Sequence, residues 1–106
     1  MGGGDALKGH LDLLLLAVLA AGPAHGYAVI EALRARSGGT FALPEGTVYP
    51  ALHRLERAGL LTSSWAEGMP RPRRVYDLTA AGRRALGARR REWASFAAAV
   101  ADVLGA

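Results

Sequence analysis

Cysteine is absent from this 106-residue chain, which removes disulfide frameworks, thiolate metal sites and cysteine nucleophiles together. Acidic residues are scarce, nine Asp and Glu against thirteen Lys and Arg, and no two carboxylates cluster in the manner of a general acid and base. His10, His25 and His53 lie far apart without metal-ligand spacing, and no glycine-rich phosphate-cradling loop appears. These absences argue against an enzyme, a metal site or a bound cofactor. No apolar run approaches the ~20 residues that span a bilayer. A soluble, cytoplasmic protein is therefore expected.

What is present suits one compact domain with a modest core: about half of the chain (51%) is apolar. The formal net charge is +4, and its distribution says more than its total. Eight arginines and a single acid, Asp77, fall between Arg71 and Arg91. Such a concentration suits phosphate backbones, with anionic membranes or plain solubility as the competing explanations. The run "LLLLAVLAA" (13–21) imitates a signal-peptide core, with Lys8 before it and small residues after it. Asp12 beside it and the lack of a clean cleavage site favour a buried first helix. Residues 1–6, "MGGGDA", lack a myristoylation signal and are expected to be a disordered lead-in.

Gly22-Pro23 ends the first apolar segment. In "HGYAVIEALRARSGG" a second helix follows, with Tyr27 expected where the helices meet, and Ser37-Gly38-Gly39 stops it. "LPEGTVYPALHRLERAGLL" (43–61) is the third. At ~100° per residue, Val48, Leu52, Leu55 and Gly59 gather on one side as a core face. Gly46, Pro50, His53 and Arg57 gather opposite, flanked by Thr47, Arg54 and Tyr49. Pro50 is tolerable only near a helix start, so the helix begins between Pro44 and Thr47. The outer face is small, rigid and rich in donors, as the floor of a DNA major groove requires. An ordinary solvated helix face is the alternative.

From Leu60 the period changes to two. "LLTSSWAE" and "RRVYDLT" alternate around "EGMPRP", which reads as two strands of a hairpin, with Trp65 assigned to the core and Tyr76 and Leu78 on one side. Thr79 caps a long last helix running to about Leu104, although Gly82 spoils a capping box. Leu86, Trp93 and Val100 recur every seven residues, with Phe96 and Val103 in the second seam position and Arg89 interrupting it. Helix-turn-helix followed by hairpin is the winged-helix arrangement. The fold class is thus mainly α with a small β-hairpin (α+β): a winged helix-turn-helix domain over 7–78 and a C-terminal dimerisation helix over 79–106. In the wing, Arg71, Arg73 and Arg74 stand where contacts along a DNA backbone need them.

The stretches "LKGHLDLLLLAVLAAGPAHGYAVIEAL", "EGTVYPALHRLERAGLL" and "RRVYDLTAAGRRAL" resemble the PadR family of bacterial transcriptional regulators, from about Leu7 to Leu86. The single last helix resembles the family's compact subgroup. The resemblance implies a homodimer joined mainly through the last helix, repression of a nearby operon from an inverted-repeat operator in double-stranded DNA, and in some members release by a small molecule. It implies a recognition helix over Glu45 to Arg57, with Thr47, Tyr49, Pro50, His53 and Arg54 meeting DNA and Tyr49 meeting a phosphate. Lys8 is added as a backbone contact, with a merely solvated lysine as the favoured alternative, and the wing is Glu67 to Arg74, where two prolines replace the family's more glycine-rich loop. Leu86, Trp93, Phe96, Val100 and Val103 would form the dimer interface. Trp93 could alternatively offer a flat platform to a small aromatic effector, as in multidrug-binding members; dimer core is the blander reading and the favoured one. A winged-helix module docking an acidic protein partner is the competing function.

Overall fold

The computed structural model describes residue 7, residues 9–67 and residues 72–105. Lys8, Arg71 and the lead-in 1–6 lie outside the described residues, as does most of the loop between the hairpin strands. Helix α1 is Leu11–Ala20 and buries Leu15, Leu16, Val18 and Leu19. It is apolar nearly all round because it is the central post, packed against every other helix and the middle strand. No described helix is long and apolar enough to cross a membrane.

After the Gly22-Pro23 break, Ala24–His25 form a two-residue strand β1, and α2 follows as Gly26–Arg36. Recognition-type helix α3 spans Glu45–Arg57, so its start falls inside the window that Pro50 demands. Strands β2 (Leu61–Ala66) and β3 (Arg73–Leu78) form the hairpin, and α4 runs from Ala80 to Leu104. The strands make one antiparallel sheet in the order β1-β3-β2. Register pairs Leu61 with Leu78, Ser63 with Tyr76 and Trp65 with Arg74. The core gathers Leu15, Leu19, Val29, Val48, Leu52, Leu55, Leu61, Tyr76 and Leu78, all buried, with Leu86 of α4 at its edge.

Three expectations are corrected. Trp65 is not core: it is 66% exposed. It shares the inward side with Leu61, but by Trp65 the hairpin has run past the helices, and the Arg74 guanidinium covers its ring at 5.2 Å from the centroid instead. Tyr27 does not pack between helices and is 56% exposed. Gly26, Val29 and Leu33 form the buried face of α2, which turns Tyr27 outward. Gly59 is not on the core face of α3; it stands past the helix end, exposed, with φ +81°. There it reverses the chain into β2, a left-handed conformation that glycine adopts without strain.

Gly82 has a tighter reason. A Cβ there would lie 2.1 Å from the carbonyl oxygen of Leu60, so α4 can seat against the β2 lead-in only with glycine. Thr79 secures the same junction. Its hydroxyl donates to the Gly59 carbonyl (2.7 Å) and accepts the Gly82 N–H (3.0 Å), while its own N–H reaches Leu60 O (3.1 Å). Thr79 is therefore the expected helix cap and also a clamp between elements.

Candidate nucleic-acid interface

The wheel pattern of α3 is realised in three dimensions. Val48, Ala51, Leu52 and Leu55 are buried, whereas Gly46, Thr47, Pro50, His53, Arg54 and Arg57 are exposed. Helix α3 starts without a side-chain cap: the Pro44 carbonyl accepts from Thr47 N (3.0 Å) and Val48 N (3.2 Å). Pro50 has no N–H, so the Gly46 carbonyl loses its usual partner four residues on and remains an acceptor on the exposed face. Thr47, His53 and Arg54 add donors, which gives this face the mixed polarity that base edges read.

Tyr49 behaves differently from its neighbours. It is half-buried, and its ring fills the space over Gly26, where a Cβ would fall 2.3 Å from the Tyr49 ring. Tyr49 thereby joins α3 to the start of α2. Beside it open His25, Gly26, Tyr27, Arg73 and Arg74, which with Tyr49 line a cleft of about 380 Å³ between the helices and the base of the wing. The structure thus brings together Tyr49, Arg73 and Arg74, which the sequence reading assigned to DNA separately. It adds His25, which that reading left unused.

His25 accepts the Ala28 N–H on Nδ1 at 3.2 Å and so caps α2, and its Nε2 lies 2.8 Å from Nη1 of Arg73. The signal for this role was present in "HGY": a histidine directly before a helix start can cap it. Arg74 is braced by Nε–H donation to Ser63 Oγ (2.9 Å), and Ser63 donates to Glu56 on α3 at 2.7 Å. The wing's base and the recognition-type helix are tied through these three side chains.

Arg54 is not isolated on its face. Its guanidinium is paired with Asp12 of α1, and Arg89 of α4 approaches the other oxygen of that carboxylate at 3.8 Å. Sequence reasoning used Asp12 only to argue for a buried first helix and gave it no partner; an acid inside an otherwise apolar helix was the signal. One carboxylate thus joins α1, α3 and α4. The remaining arginines of α4, Arg83, Arg84, Arg90 and Arg91, are exposed.

Beyond Leu86 the seam of α4 is largely open to solvent: Trp93 is 45% and Phe96 57% exposed, and Val100 and Val103 are exposed too. Trp93 meets the edge of His10 at 5.2 Å and tilts toward Phe96 at 5.9 Å between ring centroids. Next to it, Leu7, His10, Leu13, Leu14, Phe41 and Trp93 line an apolar cavity of about 460 Å³.

A sequence model of the Transcriptional regulator PadR-like family matches residues 15–88, which span α1 through the first part of α4. The chain belongs to the PadR-like family. This is a family of transcriptional regulators, not of enzymes. Among relatives, a transcriptional regulator of Mycobacterium tuberculosis is 51% identical over 51 residues, 48% of each chain. An uncharacterised protein of Lysinibacillus sphaericus is 26% identical over 91 residues, 85% of this chain and 84% of its own length. Among solved structures, a PadR family regulator of Eggerthella lenta superposes with a TM-score of 0.82 at 34% identity, over 94% of this chain and 86% of its own. The PadR of Bacillus subtilis, solved with operator DNA, shares the fold at a TM-score of 0.67 and 24% identity, over 74% of this chain and 45% of its own. The PadR-like winged helix accounts for the hairpin at the end of the helix-turn-helix; β1, which no pattern announced, completes its sheet.

Proposed function

We propose that this PadR-like protein is a sequence-specific DNA-binding repressor that acts as a homodimer on an inverted-repeat operator. The observation that carries the reading is the single exposed face of Thr47, Pro50, His53 and Arg54 on a helix whose other side is fully buried, with Arg73 and Arg74 at the adjoining base of the wing. Thr47, His53 and Arg54 read base edges in the major groove, Pro50 lets the helix approach closely, and Tyr49, Arg73 and Arg74 hold phosphates. Lys8 and Arg71 belong to the same set by sequence alone. The operator complex of the Bacillus subtilis relative supports the choice of DNA as partner.

The second half of α4 supports the dimer. Its exposed seam of Trp93, Phe96, Val100 and Val103 would be covered by a second copy of the helix, extending outward from Leu86. Half-sites are then read about one helical turn apart, ~34 Å, or a multiple of it. A small aromatic effector, where one acts, enters the apolar cavity beside Trp93, lined by residues of both α1 and α4.

The test is binding of the purified protein to DNA upstream of its own gene, against scrambled duplex, across a salt series. The expected complex is dimeric, sequence-dependent and weakened by salt, with each phosphate contact adding about −0.9 to the log–log slope. His53→Ala and Arg54→Ala should each cost about 1–3 kcal/mol and relax specificity. Normal operator binding by both variants sinks the assigned recognition face. Equal, weak binding to every duplex would transfer the basic surface to an acidic protein partner.

A further inference from the structure

The cleft between α2, α3 and β3 is one hydrogen-bond acceptor short. His25 offers Nδ1 to the Ala28 N–H at 3.2 Å, so its neutral ring carries the proton on Nε2. That Nε2–H stands 2.8 Å from Nη1 of Arg73, and a guanidinium only donates. The other tautomer does not help: it would satisfy Arg73 and set Nδ1–H against the Ala28 N–H. A doubly protonated ring would oppose donors on both sides. Whichever form is present, two donors face each other with no acceptor between them.

The surroundings deepen the deficit. None of the six residues lining the cleft carries a carboxylate, and four of them besides His25 (Tyr27, Tyr49, Arg73 and Arg74) bring donors. The acid in this network is engaged elsewhere: Glu56 accepts from Ser63. With about 380 Å³, the cleft has room for a tetrahedral anion and its approach path.

We propose that this cleft seats one phosphodiester of the DNA backbone, with a single anionic oxygen accepting from both His25 Nε2–H and the Arg73 guanidinium. His25 is thereby a DNA-binding residue as well as a helix cap. The inference rests on the DNA-binding reading above and narrows it to one phosphate. Position favours a strand over a free anion. The cleft lies between Tyr49, at the edge of the recognition face, and Arg73, which opens the wing strand, where a backbone must pass if helix and wing engage neighbouring grooves.

The experiment replaces backbone phosphates of the operator one at a time by uncharged methylphosphonates and measures Kd for the wild type, His25→Asn and Arg73→Gln. Asparagine keeps the cap, because its carboxamide oxygen can still accept at the N-cap position, but it is too short to supply the outward donor. Each variant should weaken binding to the unmodified operator about tenfold. Arg73→Gln should also lower the salt slope of the dimer by about two, one contact per protomer, whereas His25→Asn, which removes no charge, should leave it unchanged. At one phosphate per half-site, methylphosphonate should weaken the wild type about tenfold yet cost either variant clearly less, because each variant has already lost one of the two donors to that phosphate. Arg73→Gln leaves the cap untouched, so the coupled position can be found even if His25→Asn folds poorly.

Losses that multiply at every position for both variants overturn the seat while leaving operator recognition standing. Saturable shifts of the His25 imidazole signals with inorganic phosphate, without a coupled operator position, would assign the cleft to a free anion and overturn the backbone assignment. Failure of the wild type to prefer its operator over scrambled duplex would instead sink the DNA-binding reading, and this seat with it.

Discussion

At Gly46 the fold makes no demand. Nothing lies within 4 Å of a Cβ built there, and its φ is not in the left-handed region, so the fold would accept a side chain at this position. Gly46→Ala should stabilise α3 by about 0.5–1 kcal/mol through reduced freedom of the unfolded chain. The same variant should bind the operator more weakly, because the added methyl would meet the groove. Thermal melts and operator titrations read the two effects; a rise in stability with unchanged affinity would remove Gly46 from the interface. Tyr76 presents the opposite situation, a buried aromatic beneath the sheet. Burial, reinforced by the nearby Glu56 carboxylate, raises its phenol above the ordinary value of 10.0. The folded state therefore holds the proton more tightly than the unfolded one, so stability is fully present below pH ~10 and falls as pH rises beyond it. Denaturant midpoints between pH 9 and 11 should fall less steeply for Tyr76→Phe. At this scale the outward residues of α3 were legible from the 3.6-residue period alone. The contact of His25 with Arg73 and the three-helix ion pair of Asp12 were not, since both depend on where other elements lie.

Among elements, α4 shows how a sequence oddity becomes a packing rule. Gly82 weakens a helix start by propensity, yet only a glycine lets the helix lie against the Leu60 carbonyl. Gly82→Ala should therefore destabilise, by about 1–3 kcal/mol, despite its better helix propensity. An urea midpoint at or above that of the wild type would show that the junction gives way cheaply. The hairpin was readable because its residues alternate, and Tyr76 and Leu78 are buried as that alternation requires. Trp65 was misread for a geometric reason. Alternation states which side of a sheet a residue occupies, and not how far the covering layer extends. Strand β1 was missed because two residues, Ala24 and His25, carry no periodicity; pairing with Tyr76 and Val75 of β3 makes them a strand.

The whole molecule is extended, 53 × 30 × 20 Å, with a radius of gyration of 14.9 Å. A globule of this length would measure about 13 Å. Helix α4 explains the excess: its 25 residues reach ~37 Å, and past Leu86 its apolar seam is exposed along the far half. Phe96→Glu should leave the secondary structure and the wing intact, because Phe96 is 57% exposed within the chain. It should shift the protein to a monomer in analytical ultracentrifugation and abolish cooperative operator binding. An unchanged dimer would place the interface elsewhere. The sequence by itself determined the order of the helices and the hairpin, the core face of α3, the basic end of the hairpin and the seam of α4, because periodicity and charge are local properties of the chain. Tertiary structure alone decided that Trp65 and Tyr27 face solvent, that Asp12 ties Arg54 to Arg89, and that His25 confronts Arg73 across 48 positions of sequence. Those contacts join residues whose neighbours in sequence carry no trace of them, and only close packing around α1 sets the distances at which they act.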